Sequence, residues 1–104
     1  MEIIFADKNL ERCATDAAYA LRYLGQKRAK CFTNRLGNIR VAGNFEDLRN
    51  MPGHFHELSG NRKGEWACDL DQPYRLIIKG SEPNKIVIWS MVTTAEIIEI
   101  VDYH

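Results

Sequence analysis

The hydrophobic period of this chain changes from helical to strand-like at Pro52-Gly53, and that change restricts the fold more than any other feature. Before it, Ala29, Phe32, Leu36, Ile39 and Gly43 follow the i, i+3, i+7 spacing that lines one face of a helix. From His54 onward the apolar residues come in short runs with turn residues between them, the pattern of strands. The runs are 55–58, 65–70 and 74–79, separated by the polar, glycine-bounded turn 59–64 and by Asp71-Gln72-Pro73. A last run, 94–103, doubles its apolar residues as Ile97-Ile98 and Ile100-Val101, which points to burial on both faces and so to a central strand.

The first half adds one strand and the helices. Residues 2–6 read as a short strand, and Asp7 can cap a helix that starts at Lys8. Thr15 or Asp16 offers a second cap, so the segment up to Leu24 is one kinked helix or two. Gly25 breaks the pattern, and a helix over 26–42 follows; joined there, the helices would form an antiparallel hairpin. Residues 45–53 read as a loop anchored by Leu48 and Met51, and 86–90 as a short strand or an extended connection. At 104 residues the chain is one domain. The order of elements predicts an α+β fold, a small and mostly antiparallel sheet with two N-terminal helices packed on it.

The formal net charge is +0, yet Arg22, Lys27, Arg28, Lys30, Arg35 and Arg40 form a basic stretch without an acid before Glu46. Either this is a solvated helix face or it meets an anionic partner. In the second case Lys27, Arg28, Lys30 and Arg35 are the expected contacts to RNA or to an acidic protein segment. Cys13, Cys31 and Cys68 are odd in number and widely spaced, which suggests neither a zinc site nor a disulfide framework. Three reduced thiols, with no signal-peptide pattern and no membrane-length apolar run, predict a cytoplasmic protein that does not engage a membrane. No metal or other cofactor is expected.

Three stretches carry a family resemblance. They are His56-Glu-Leu-Ser-Gly-Asn-Arg-Lys-Gly-Glu-Trp66, Asp69-Leu-Asp-Gln-Pro-Tyr-Arg-Leu-Ile77, and the ending Asp102-Tyr103-His104. Together with Asn9-Leu-Glu-Arg-Cys13, Leu24-Gly25 and Phe45-Glu-Asp-Leu48, they resemble the HigB group of the RelE/ParE toxin superfamily over nearly the whole chain. The resemblance implies the toxin of a type II toxin–antitoxin pair. Such a toxin enters the ribosomal A site and cleaves mRNA without a metal. Its partner is a helix-turn-helix antitoxin of the HigA type, through which alone it meets DNA. The family's catalytic positions fall on His56, Arg75, Tyr103 and His104, with Asp102 beside them. There are two departures. Ser59 stands where members commonly carry lysine before the glycine of the turn, with Arg62 and Lys63 three and four positions later. The chain is also neutral, where active members are often basic.

These residue types suit metal-free RNA cleavage. A base must take the ribose 2′-OH proton, cations must stabilise the phosphorane, and an acid must protonate the departing 5′-oxygen. Histidine, with an ordinary pKa of about 6.5, fits either proton role. Hence His56 and His104 are the candidate base and acid in either order. Arg75 would clamp the phosphate, Tyr103 would orient or stack on a base, and Arg62 and Lys63 would add phosphate charge, with Asp102 on the substrate. Arg75 could instead pair structurally with Asp69 or Glu57, and Tyr103 could be an ordinary strand tyrosine. His54 is read as outside the site, and Trp66 and Trp89 as packing residues. The other functional readings are a gyrase poison, as in ParE-like relatives, a co-repressor without activity, and a plain ligand-binding domain.

Overall fold

A computed structural model describes residues 1–80 and 87–103; His104 and residues 81–86 lie outside the described residues. In chain order the elements are β1 (Glu2–Phe5), α1 (Lys8–Thr15), α2 (Ala17–Leu24), α3 (Gln26–Val41), α4 (Phe45–Leu48), β2 (His56–Glu57), β3 (Glu65–Asp69), β4 (Tyr74–Gly80) and β5 (Thr94–Asp102). The strands form one sheet in the order β1-β5-β4-β3-β2. β1 lies parallel to β5 and the other pairs are antiparallel. This is the expected α+β fold, and β5 is central as its sequence required.

Local chemistry explains most boundaries. The Asp7 carboxylate accepts from Asn9 N–H at 2.8 Å and Leu10 N–H at 2.9 Å, which satisfies free donors at the start of α1. Asp16 adopts an extended backbone and accepts from Tyr19 N–H at 3.0 Å, so the segment up to Leu24 is two helices rather than one kinked helix. Gly25, at φ 84, ends α2 and begins α3. Phe32, Leu36 and Ile39 bury against the sheet as the period demanded, whereas Gly43 is exposed and Ala42 takes the buried place.

Three expectations need correction. Residues 45–53 are not all loop, because Asn44 caps the one-turn helix α4 and Phe45 and Leu48 are fully buried. Four residues are too few for a period to register in sequence. The segment after residue 86 holds a short 3-10 turn, Trp89–Met91, rather than a strand, and Ile86 lies outside the described residues. On β5 Ala95 and Ile97 are fully buried, but Ile98, Ile100 and Val101 are only half-buried. Ile78 pairs with Ile97 but Ile77 with Glu99, so Ile98 is a bulge residue.

The core lies between the helices and one face of the sheet. Phe45, Trp66 and Trp89 meet at ring-centroid distances of 5.2–5.4 Å. Leu10, Phe32, Leu36, Ile39, Leu76, Ile78 and Ile97 belong to the same buried cluster. The helices therefore cover one face and leave the other to the candidate site.

Candidate active site

Alternation along each strand gives the uncovered face its composition. One row across it runs His56, Ala67, Ile77, Glu99; the next runs Asp69, Arg75, Val101. Ala67 and Ile77 are fully buried on this face, outside the main core cluster. Chemistry-bearing residues collect at the end where β3 turns into β4 and β5 finishes.

Arg75 Nε stands 3.0 Å from Asp69 Oδ1, a charge contact without hydrogen-bond alignment, and its NH1 donates to Tyr74 O at 3.0 Å. Gln72 Oε1 accepts more weakly, at 3.4 Å. The guanidinium carbon is 6.0 Å from the Tyr103 ring centroid. Tyr103 is 46% exposed, and its N–H donates to Pro73 O at 3.0 Å, which pins the chain end to the β3–β4 turn. The expected alternative partner of Arg75, Glu57, is instead bound by Arg49.

His56 is half-buried on β2. His54 stacks on it, ring centroids 4.5 Å apart, and His54 Nδ1 lies 3.9 Å from Asp69 Oδ1. His56, His54, Asp69, Arg75 and Tyr103 are thus linked in series across the end of the sheet. The sequence reading placed His54 and Asp69 outside the site. The signal available for His54 was its position directly after Pro52-Gly53, where the chain reverses into a strand.

Other expected contacts are elsewhere or already engaged. Arg62 donates to Glu65 Oε1 and to Glu99 Oε2, each at 2.7 Å, and these bonds push its proton affinity up. It therefore reaches phosphate only by leaving two carboxylates. Lys63 is exposed beside it, and Ser59 is exposed at the start of the 3-10 turn Gly60–Arg62. Asp102 is exposed at the end of β5, in register with Tyr74. His104 lies outside the described residues.

The basic helix divides in two. Lys27 and Lys30 are exposed. Arg28 grips both oxygens of Asp71, at 3.1 and 3.2 Å, and covers the Tyr74 ring at 3.5 Å. Arg35 Nε donates to Asp69 O at 2.7 Å, bracing the end of β3 from behind. Both arginines hold the turn that carries the site. A groove of about 520 Å³, lined by residues such as Cys13, Ala17, Ala20, Leu21, Ala29 and Thr33, lies in the helical layer. Among the described residues no helix is long and apolar enough to cross a membrane.

Neither a protein-family profile nor a curated protein matches the sequence. Among solved structures, a YoeB/ParE toxin from Agrobacterium tumefaciens superposes with a TM-score of 0.60 at 12% identity, over 100% of both chains. At that identity the likeness speaks for the fold, and in its fold this chain is similar, along its whole length, to a YoeB/ParE toxin.

Proposed function

We propose that this chain is the toxin of a type II toxin–antitoxin pair and a ribosome-dependent mRNA endoribonuclease of the HigB type. The observation that carries the reading is the convergence of His56, Arg75 and Tyr103 on one end of the uncovered sheet face. The shared fold with a toxin supports it. In this reading Arg75, turned partly to solvent and oriented by Asp69, clamps the scissile phosphate. Tyr103 stacks on or orients a nucleotide. His56 and His104 exchange protons with the 2′-OH and the 5′-oxygen. Lys63 and Asp102 contact substrate, and Arg62 joins them when released from its carboxylates. Lys27 and Lys30 form the exposed contact to RNA or to the antitoxin, a helix-turn-helix protein of the HigA type that links the complex to DNA.

The test is inducible expression of wild type beside Arg75→Ala and a His104 deletion, with mapping of reporter mRNA ends. Growth arrest by wild type alone, with new ends that require translation, is expected. Arrest by all three chains without mRNA ends would overturn the nuclease and favour a gyrase poison. A second reading, a co-repressor with little activity, is favoured by Ser59 and by the engagement of Arg62 with Glu65 and Glu99. It predicts no arrest by soluble wild type.

A further inference from the structure

His54 has no chemical part in the reading above, yet its backbone organises the site. Among the described residues it is the one non-glycine with positive φ, at 55°. That region is uncommon for side-chain-bearing residues and collects at functional sites. Gly53 before it sits at φ 109. The two together turn the His54 carbonyl onto the following strand, where His56 Nδ1 lies 2.8 Å from His54 O.

A carbonyl oxygen only accepts, so Nδ1 is the donor of this bond. A neutral imidazole carries one N–H, and the lone pair then sits on Nε2. We propose that His54 is a positioning residue that commits His56 to the Nδ1–H tautomer, making His56 Nε2 the base that takes the ribose 2′-OH proton. The inference rests on the nuclease reading. It assigns the two proton roles that the sequence left in either order.

The step balances as follows. The 2′-O–H bond breaks and its proton passes to His56 Nε2, while the 2′-oxygen forms a bond to phosphorus. The P–O5′ bond breaks, and the 5′-oxygen takes a proton from the acid, the role left to His104. The products are a 2′,3′-cyclic phosphate and a 5′-hydroxyl end. His56 becomes an imidazolium whose Nδ1–H still rests on the His54 carbonyl, so the site does not rearrange as charge develops.

The surroundings hold the carbonyl in place. Asp69 N–H donates to Gly53 O at 2.8 Å, and Arg35 braces Asp69 from the core side. The His54 ring stacks on His56 and has Nδ1 3.9 Å from Asp69 Oδ1, while most of it stays exposed. Free histidine in water favours the opposite tautomer, so the preference is attributable to this turn.

The experiment uses the purified chain labelled with ¹⁵N-histidine, observed by two-bond ¹H–¹⁵N correlation where the imidazoles are neutral, together with ribosome-dependent cleavage. Wild type should show His56 as Nδ1–H and cut mRNA, and His54→Gly, which accepts positive φ, should keep the Nδ1–H tautomer. His54→Val resists the left-handed region and should lower the population with the carbonyl in place about tenfold, with a similar fall in cleavage. Persistence of Nδ1–H in a folded His54→Val chain would overturn the positioning role. An Nε2–H tautomer in wild type that still cuts mRNA would overturn the inference alone, and this arm needs no variant. An Nδ1–H tautomer in a wild-type chain that never cuts would overturn the nuclease reading, and the base role with it.

Discussion

Replacing Gly53 with alanine tests how the helical layer supports the site. At Gly53, φ 109 is hostile to any side chain, and the strain costs about 1–3 kcal/mol. A Cβ there would stand 2.7 Å from Arg35 Cδ and 2.8 Å from its Cζ, so the arginine must move. Moving it breaks the 2.7 Å bond from Nε to Asp69 O, a charged donor worth about 1.5–3 kcal/mol. Gly53→Ala should therefore lose about 3–5 kcal/mol, a large share of the 5–15 kcal/mol typical of a domain. Arg35→Ala removes the same bond and also clears space for the new methyl. The double variant should then be only as unstable as Gly53→Ala, about 2 kcal/mol short of the sum of the single losses. Urea denaturation of the four chains measures this. Penalties that add within about 0.5 kcal/mol would refute the coupling of Gly53, Arg35 and Asp69.

Other predictions follow from the same geometry. Arg75→Ala should flatten the log–log salt dependence of RNA association by about 0.7, the expectation for one phosphate contact on a single strand. Arg62→Ala should flatten that slope less than Arg75→Ala, because Glu65 and Glu99 compete with phosphate for its charge, and should cost about 1 kcal/mol in a melt. Burial pushes the Cys68 and Cys13 thiols up, the latter also by Asp7 and Asp16, so a thiol-alkylating reagent should modify half-buried Cys31 first and the other two only on unfolding. The Asp16 carboxyl is held below its usual 3.8, first by the Tyr19 N–H. A depressed carboxyl stabilises above its unfolded value, so its contribution should be present at neutral pH and fade as pH falls below about 3.8. Asp16→Asn keeps the cap and should remove that part of the acid dependence in far-UV circular dichroism.

The sequence by itself determined the longer helices and the strands from His54 to Gly80. Asp7, Gly25 and Pro52-Gly53 act within a few residues of themselves, through caps and turns, and the structure places them where local chemistry requires. The apolar weight of 94–103 pointed to an interior strand, and β5 does lie between β1 and β4, although Ile98, Ile100 and Val101 are only half-buried there. Tertiary structure alone decided which charges are available. Arg28, Arg35 and Arg62 read as free cations, but each has an acceptor far off in sequence, Asp71, the Asp69 carbonyl and Glu99, at separations of 43, 34 and 37 residues. A long, flexible side chain shows its direction only once a distant carboxylate or carbonyl is brought beside it. The same holds for His54, whose place in the site depends on its own positive φ, following that of Gly53, and on Asp69 arriving from the next strand. Periodicity reports which face a residue occupies; partners that meet only through the fold decide what its polar atoms can do.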